Sequence, residues 1–381
     1  LKALLGDFQM SNLSGSDDTI VLQEALNSQL NTIDVGHAGT AMRFLTAYFA
    51  TQENRDVVLT GSERMQQRPI GILVNALRQL GAEITYVENE GYPSLRISGK
   101  KLSGVSIKVQ ADISSQYLSA LLLIAPTLEK GLTVAFESKV TSRPYLQMTL
   151  ALLKTCGVSV VEEENDVMVK SFQKKNLPTH FTVESDWSSA SYFYSFIALS
   201  PVGTALKLRY FKEESLQGDK RLTEIYSHFG VTTSFEGDFI TLTKQINHNP
   251  KTISVDLTDN PDLAQTIAVT CLGLNVDCHI TGLHTLKIKE TDRLAALQTE
   301  LIKFGAKVKI TKDSLSMQST DLTEQNEIVA VATYDDHRMA MAFAPLCLKH
   351  SVVIKEATVV TKSYPDFWKD LAYIGVDVNI Q

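Results

Sequence analysis

The 381-residue chain has few cysteines, no long apolar run and no excess of positive charge, and each shortage removes a class of function. Its four cysteines, Cys156, Cys271, Cys278 and Cys347, lie in or beside apolar stretches, and no two are spaced as CxxC. That argues against a disulfide framework or a thiolate metal site and predicts four buried, reduced thiols in a cytoplasmic protein. The longest charge-free apolar stretch, Ile113 to Leu128, is short and carries two Ser, a Gln and a Tyr near its start, so no membrane span is expected. No secretory signal opens the chain, whose first residue is Leu. With 36 basic against 43 acidic residues the formal charge is −7, which argues against nucleic acid as a partner. Also absent are a GxxxxGK[ST] loop, a GxGxxG after a strand, an HExxH helix and a G-x-S-x-G elbow, and the eight histidines do not pair at metal-ligand spacing. What remains is a globular composition, 44% apolar and 21% charged, with length for two or three domains.

What is present is a repeat. Apolar, helix-like segments start at Ala38 (AGTAMRFLTAYFA), Ser114 (SSQYLSALLLIA), Trp187 (WSSASYFYSFIALS), Pro261 (PDLAQTIAVTCLGL) and Asp335 (DDHRMAMAFAPLCL), giving spacings of 76, 73, 74 and 74 residues. A β-branched strand follows each, then an amphipathic helix closing at Gly81, Gly157, Gly230, Gly305 or Gly375, where glycine is the expected left-handed C-cap. A further strand begins after it. The period exceeds the roughly 20 to 50 residues of a solenoid repeat, so the unit reads as a compact α/β subdomain. A partial sixth copy at the start is expected, with SDDTIVLQEAL as a second helix whose first helix is missing. Six copies divide as three and three: residues 1–183 as a first domain with an incomplete first copy, and residues 184–381 as a second, with the boundary near Val183 to Asp186.

The chemistry-bearing residues gather where these helices begin. GHAGTAMR places Gly36, Gly39, Thr40 and Arg43 at a helix start, where free N–H groups and a fixed cation suit an anion, although close helix packing explains the small residues equally well. SERMQQRPI adds Arg64 and Arg68 before Pro69, which is expected as the first helical residue; solvated arginines are the plain alternative. Ser114, Ser115 and Gln116 are either N-cap residues or donors to a polyol phosphate, and Ser142, Arg143 and Tyr145 occupy the same place one copy later. KIKETDRL packs Lys287, Lys289, Glu290, Asp292 and Arg293 together; a surface helix could carry them as i,i+4 pairs, but Glu290 among cations also suits proton transfer beside an anionic substrate. His337 and Arg338 open an otherwise apolar helix, and Lys362 precedes a second proline expected to start one. Arg43, Arg68, Arg293, Arg338 and Lys362 are thus all expected at helix starts in an acidic chain. Two facing domains would then form a cationic cleft for small, multiply anionic ligands.

AGTAMR, RPI, SSQ, SRPY, PD before an apolar helix, KETDRL, DHRMAM and the Lys before YPD follow one another in the order of the 5-enolpyruvylshikimate-3-phosphate (EPSP) synthase family, which the chain resembles from Ser16 onward. The resemblance implies an α/β fold of two domains, an inside-out α/β barrel, each domain built of three βαβαββ units about a pseudo-threefold axis, with the active site in the interdomain cleft. It implies transfer of the enolpyruvyl group of phosphoenolpyruvate to the 5-hydroxyl of shikimate 3-phosphate by addition and elimination, with release of phosphate and no metal or organic cofactor. It also implies a cytoplasmic monomer with small-molecule substrates and no membrane or nucleic-acid partner. By the same resemblance Ser114, Ser115, Gln116, Ser142, Tyr145, Asp262, Thr285 and Lys289 hold shikimate 3-phosphate. Gly39, Thr40, Arg43, Arg68, Gln116, Arg293, Arg338 and Lys362 form the phosphoenolpyruvate site. Asp262 takes the 5-hydroxyl proton, Glu290 protonates the methylene carbon, and His337 stands close by.

The chain departs from the family in four places. His37 stands where Asn is usual, Thr285 where an Asn contacts the sugar phosphate, and Phe44 where Pro is common. The opening motif PGSKSxSNR has no match; the chain begins after its expected position, so it reads as truncated and, as it stands, as a poor catalyst. Two alternatives follow: a non-catalytic binder of shikimate 3-phosphate, and the sister transferase acting on UDP-N-acetylglucosamine. The latter usually carries a reactive cysteine before its RP segment, which SERMQQRPI lacks.

Overall fold

A computed structural model describes every residue except 7, 104, 113, 173–176, 247–249, 323–326 and 380–381. The chain forms two compact units, Leu1–Thr182 and Val183–Gln381. Among the described residues each unit carries three sheets.

In the first unit, α1 (Lys2–Leu5), β1 (Gln9–Ser11) and α2 (Asp17–Asn27) lead into two copies of one motif. The first copy runs β2 (Thr32–Asp34), α3 (Gly39–Ala50), β3 (Asp56–Thr60), the short α4 (Glu63–Gln66), α5 (Gly71–Gln79), β4 (Glu83–Tyr86) and β5 (Leu95–Ser98). The second runs β6 (Ser106–Val109), α6 (Ser115–Ile124), β7 (Leu132–Phe136), α7 (Arg143–Thr155), β8 (Val160–Glu162) and β9 (Asp166–Val169). Their sheets have the same order, β2-β3-β5-β4 and β6-β7-β9-β8, with a parallel first pair and an antiparallel hairpin. β10 (His180–Thr182) returns to pair in parallel with β1, Gln9 opposite His180, and Ser11 Oγ donates to Thr182 Oγ1 at 3.1 Å.

The second unit repeats the plan. α8 (Trp187–Leu199), β11 (Ala205–Arg209), α9 (Leu222–Ser227), β12 (Val231–Glu236) and β13 (Phe239–Lys244) give the sheet β11-β13-β12. β14 (Thr252–Asp256), α10 (Ala264–Gly273), β15 (Asp277–Thr281), α11 (Arg293–Lys303), β16 (Lys307–Ile310) and β17 (Leu315–Gln318) give β14-β15-β17-β16. β18 (Val329–Val331), α12 (His337–Phe343), β19 (Val352–Ile354) and α13 (Phe367–Tyr373) close the unit with a parallel pair.

Each unit has its own apolar core. The two helices of a motif differ in kind, and the sequence shows why. α8 and α10 carry no charged residue and are almost wholly buried, whereas α5 and α11 bury one stripe and leave the other to solvent. Hydroxyls satisfy one another between the inner helices: Ser191 Oγ lies 3.0 Å from Thr266 Oγ1, and Thr270 Oγ1 donates to Ser195 Oγ at 2.8 Å. Gly81, Gly157, Gly230, Gly305 and Gly375 all have positive φ, and four of them stand directly after the C-cap residue of α5, α7, α11 or α13.

Four expectations are corrected. Cys347 is exposed, unlike Cys156, Cys271 and Cys278, because the apolar run ends in a 3-10 turn (Ala344–Leu348) whose last side chains face solvent. Pro69 and Pro365 each lie two residues before the first helical residue, since Ile70 and Asp366 intervene as N-caps. Arg68 and Lys362, expected directly at helix starts, therefore stand three and five residues ahead of α5 and α13, Lys362 as the last residue of a 3-10 turn (Ala357–Lys362). The partial first copy does retain a short helix, α1, ahead of β1. Ile113 lies outside the described residues. No described helix is long and apolar enough to cross a membrane.

Candidate active site

In the first unit the candidate residues gather at the start of α3. Its N-cap, Ala38, has no side chain to cap the helix, so the leading N–H groups are left to another acceptor. Arg43 and Arg68 are buried there at 4% and 6% exposure. The Arg43 guanidinium donates to Gly39 O at 2.9 Å and to Met65 Sδ at 3.5 Å. Arg68 is brought in by α4: Ser62 caps that helix, and the Arg68 N–H closes its last turn on Met65 O. The two guanidinia meet over Gly39, where a built Cβ would lie 2.8 Å from Arg68 Nη1 and 3.0 Å from Arg43 Nη1. Only glycine leaves room for them. His37 bonds Ser62 through its ring at 3.1 Å, beside the same cap.

α6 adds its own start. Gln116 Nε2 donates to Thr40 Oγ1 at 3.0 Å, joining the beginnings of α6 and α3. Ser114 is the N-cap, accepting from Gln116 N at 3.3 Å, so the plain reading of that serine holds, and the cap bond uses the hydroxyl only as an acceptor. Ser115 is buried. α7 packs alongside through Ser119 and Thr149, whose hydroxyls are 2.7 Å apart. Ser142 caps α7 in the left-handed region (φ 54°) without a side-chain cap bond, and Tyr145 N–H donates to its carbonyl at 3.1 Å.

In the second unit one arginine organises a cluster of its own. Arg293, the first residue of α11, is 2% exposed, and its guanidinium is engaged by three carboxylates. Nε lies 2.6 Å from Asp336 Oδ2, Nη1 2.7 Å from Asp262 Oδ1, and Nη2 2.8 Å from Glu290 Oε2. Burial opposes its charge, but Asp336, Glu290 and Asp262 outweigh that and hold it protonated. Around this hub lie looser contacts. Arg338 Nη2 is 3.3 Å and Lys289 Nζ 3.4 Å from Asp262, and Lys362 Nζ is 3.1 Å from Glu290 Oε1. Burial alone would raise the Asp262 carboxyl, yet Arg338, Lys289 and Arg293 together hold it far below the usual carboxylate range. Behind Asp262, Asn260 is anchored by its amide donating to the buried Asp219 at 3.1 Å, and Ser188 donates to the other oxygen of that carboxylate.

His337 opens α12, buried, and burial, Lys362 and Arg338 push its imidazole well below the usual histidine range, so it stands neutral. Its Nδ1 and the buried Thr285 hydroxyl have no hydrogen-bond partner among the described residues. Asp262, Lys289, Glu290, Arg293, Arg338 and Lys362 are thus one connected cluster; His337 follows directly on Asp336. The residue that sequence reasoning missed is Asp336. It is fully buried, braces Arg293 and caps α12 by accepting the Arg338 N–H at 2.9 Å. Its signal was available, an Asp directly ahead of an apolar helix.

Four cations and three carboxylates gathered this way can exchange partners. The short bonds of Arg293 fix a frame, while Arg338, Lys289 and Lys362 make contacts of 3.1 to 3.5 Å around it.

Comparison with known proteins gives the family and the fold. Residues 6–371 match the family model described as EPSP synthase (3-phosphoshikimate 1-carboxyvinyltransferase). The 3-phosphoshikimate 1-carboxyvinyltransferase of Bacteroides fragilis (strain YCH46) is 46% identical over 377 residues, covering 98% of this chain and 91% of its own. That of Shewanella pealeana is 38% identical over 375 residues, covering 97% and 85%. Among solved structures, EPSP synthase from Acinetobacter baumannii superposes with a TM-score of 0.78 at 20% identity, covering 100% of this chain and 94% of that one. The enolpyruvyl transferase NikO from Streptomyces tendae gives 0.66 at 12% identity, covering 89% and 77%. With a family model matched across nearly the whole chain and relatives this similar in sequence, the protein belongs to the EPSP synthase (3-phosphoshikimate 1-carboxyvinyltransferase) family.

Proposed function

We propose that the protein transfers the enolpyruvyl group of phosphoenolpyruvate to the 5-hydroxyl of shikimate 3-phosphate and releases phosphate, with the roles divided as follows. In the first unit, Ser114, Ser115, Gln116, Ser142 and Tyr145 bind the sugar phosphate. Arg68, Arg43, Thr40, Gln116 and the Gly39 N–H serve phosphoenolpyruvate. In the second, Lys289, Thr285 and Asp262 address the ring hydroxyls. Arg338 and Lys362 exchange their carboxylate contacts for the phosphate and carboxylate of phosphoenolpyruvate, against a floor made by Arg293. The observation that carries this reading is the cluster in which three carboxylates hold Arg293 while three further cations rest on longer bonds.

The reaction follows from those groups. Asp262 accepts the 5-hydroxyl proton as the oxygen attacks C2 of phosphoenolpyruvate, and Glu290 delivers a proton to the methylene carbon. The product of that addition is a tetrahedral ketal phosphate. Elimination reverses the proton at the methyl carbon and breaks the C–O bond to phosphate. An ionised Asp262 surrounded by cations is a poor base. It becomes a better one as Arg338 and Lys289 turn to the substrates, so ligand binding itself readies the base.

A phosphate-release assay with both substrates tests the reading. Release that requires shikimate 3-phosphate and phosphoenolpyruvate together is expected, with none from UDP-N-acetylglucosamine. Binding of shikimate 3-phosphate without release would overturn the catalytic assignment. Arg338→Ala should raise the phosphoenolpyruvate KM, at a cost of about 2–5 kcal/mol for losing one partner of a desolvated charge pair. Shikimate 3-phosphate binding should change much less. We further read the protein as a cytoplasmic monomer, an expectation taken from the family resemblance and checked by sedimentation and fractionation.

A further inference from the structure

The residues that deliver Asp336, His337 and Arg338 are held by two side chains outside the ligand set. The chain passes from β18 into α12 through Ala332, Thr333, Tyr334 and Asp335, and Tyr334 and Asp335 are both left-handed, with φ of 54° and 55°. Side chains other than glycine disfavour that region, and two in succession persist only where surrounding bonds hold them. The bonds are present. Asp336 N–H donates to Thr333 O at 2.9 Å and closes the turn. Tyr334 OH donates to Glu300 Oε1 at 2.6 Å. Glu300 is fully buried, and its other oxygen accepts from Ala332 N at 3.2 Å and Lys303 Nζ at 2.6 Å.

Glu300 belongs to α11, the helix that Arg293 opens, and a spacing of seven residues puts the two on one face, two turns apart. A single helix therefore grips the turn at Ala332 and at Tyr334, and then meets Asp336 beyond it through Arg293. Thr333 Oγ1 in addition donates to Glu356 Oε2 at 3.2 Å.

We propose that Tyr334 and Glu300 are positioning residues for the transfer reaction: their hydrogen bond holds the left-handed turn that aims Arg338 and His337, and so sets the affinity for phosphoenolpyruvate. This rests on the assignment of Arg338 to phosphoenolpyruvate made above. Burial, and then the bond to Glu300, push the Tyr334 phenol up to about 12, so it remains a donor at any pH at which the protein works.

Tyr334→Phe isolates the effect, because Glu300 keeps Lys303 and Ala332 and no buried carboxylate is stranded. The expected result is a rise of about tenfold in the phosphoenolpyruvate KM, within the range for loss of a hydrogen bond to a charged group. kcat and binary shikimate 3-phosphate binding should shift by less than about threefold, and the urea midpoint should move little. Adding Asp335→Gly should recover most of the lost affinity, since glycine adopts the left-handed conformation unaided. A purely structural role predicts no such rescue. Arg338→Ala is measured alongside. If it leaves the phosphoenolpyruvate KM unchanged, the underlying site assignment is wrong. If it raises KM while Tyr334→Phe does not, or if Asp335→Gly fails to rescue, the positioning role is overturned.

Discussion

Arg68 closes over Gly39. The guanidinium occupies the space a side chain at residue 39 would need, with Nη1 2.8 Å from the position of a Cβ, and Arg43 approaches the same point from within α3 at 3.0 Å. The absence of one carbon atom is what lets two cations share the start of a helix.

Gly39→Ala should therefore act on affinity and not on folding. The atoms in its way are the ends of flexible side chains, and alanine is the better residue in a helical turn, so thermal stability should hold or rise slightly. The displaced arginines should raise the phosphoenolpyruvate KM about tenfold, which is 1.4 kcal/mol. Steady-state kinetics and a melting curve on the same preparation check it. An unchanged KM would remove Arg68 from the anion site.

Glu290→Gln keeps the size of the side chain and one accepting oxygen but removes the titrating proton. If Glu290 delivers that proton, turnover should fall at least about 10²-fold while binary shikimate 3-phosphate binding persists. Near-normal turnover would take Glu290 out of the mechanism.

Acid should expose the cost of keeping Asp262 ionised. Its folded value lies far below the unfolded value of about 3.9, so its contribution is complete above about pH 5 and is lost as pH falls through the folded value. Below about pH 4 the unfolded chain takes up a proton that the native chain refuses, and stability drops by about 1.4 kcal/mol per pH unit from this group alone. Urea unfolding between about pH 4 and pH 3 should show Asp262→Asn with a slope shallower by up to that amount. Parallel slopes would mean that the cations do not hold this carboxylate as described.

The repeat was legible because its signals are local. Glycine after an apolar helical stripe has few other uses, and Gly81, Gly157, Gly305 and Gly375 are all left-handed behind a C-cap. Helices without a charged residue, such as α8 and α10, announce burial by composition alone. What could not be read was partnership across distance. Nothing near Arg293 in sequence says that Asp262 and Asp336, 31 and 43 residues away, will share its guanidinium. Arg68 is placed by α4, four residues long and too short for a periodic signal, so in sequence the following proline reads as the start of a helix that begins two residues later. Tyr334 and Asp335 gave no warning either, since left-handed backbone is expected of glycine.

The pairing of β1 with β10 sets an order of events during synthesis. A growing chain presents Gln9–Ser11 well before the partner of that strand, His180–Thr182, which is the last segment made before the second unit begins. The two intervening sheets can assemble as their residues emerge, each from neighbours in sequence. The third cannot, and β1 waits with its edge open while both of those sheets are made. Closure of the first unit is thus a late, long-range step, the kind that is slow because a large loop must be ordered before the contact repays it. The same strand that ends the wait also marks the point where ribosomal output turns to the second unit.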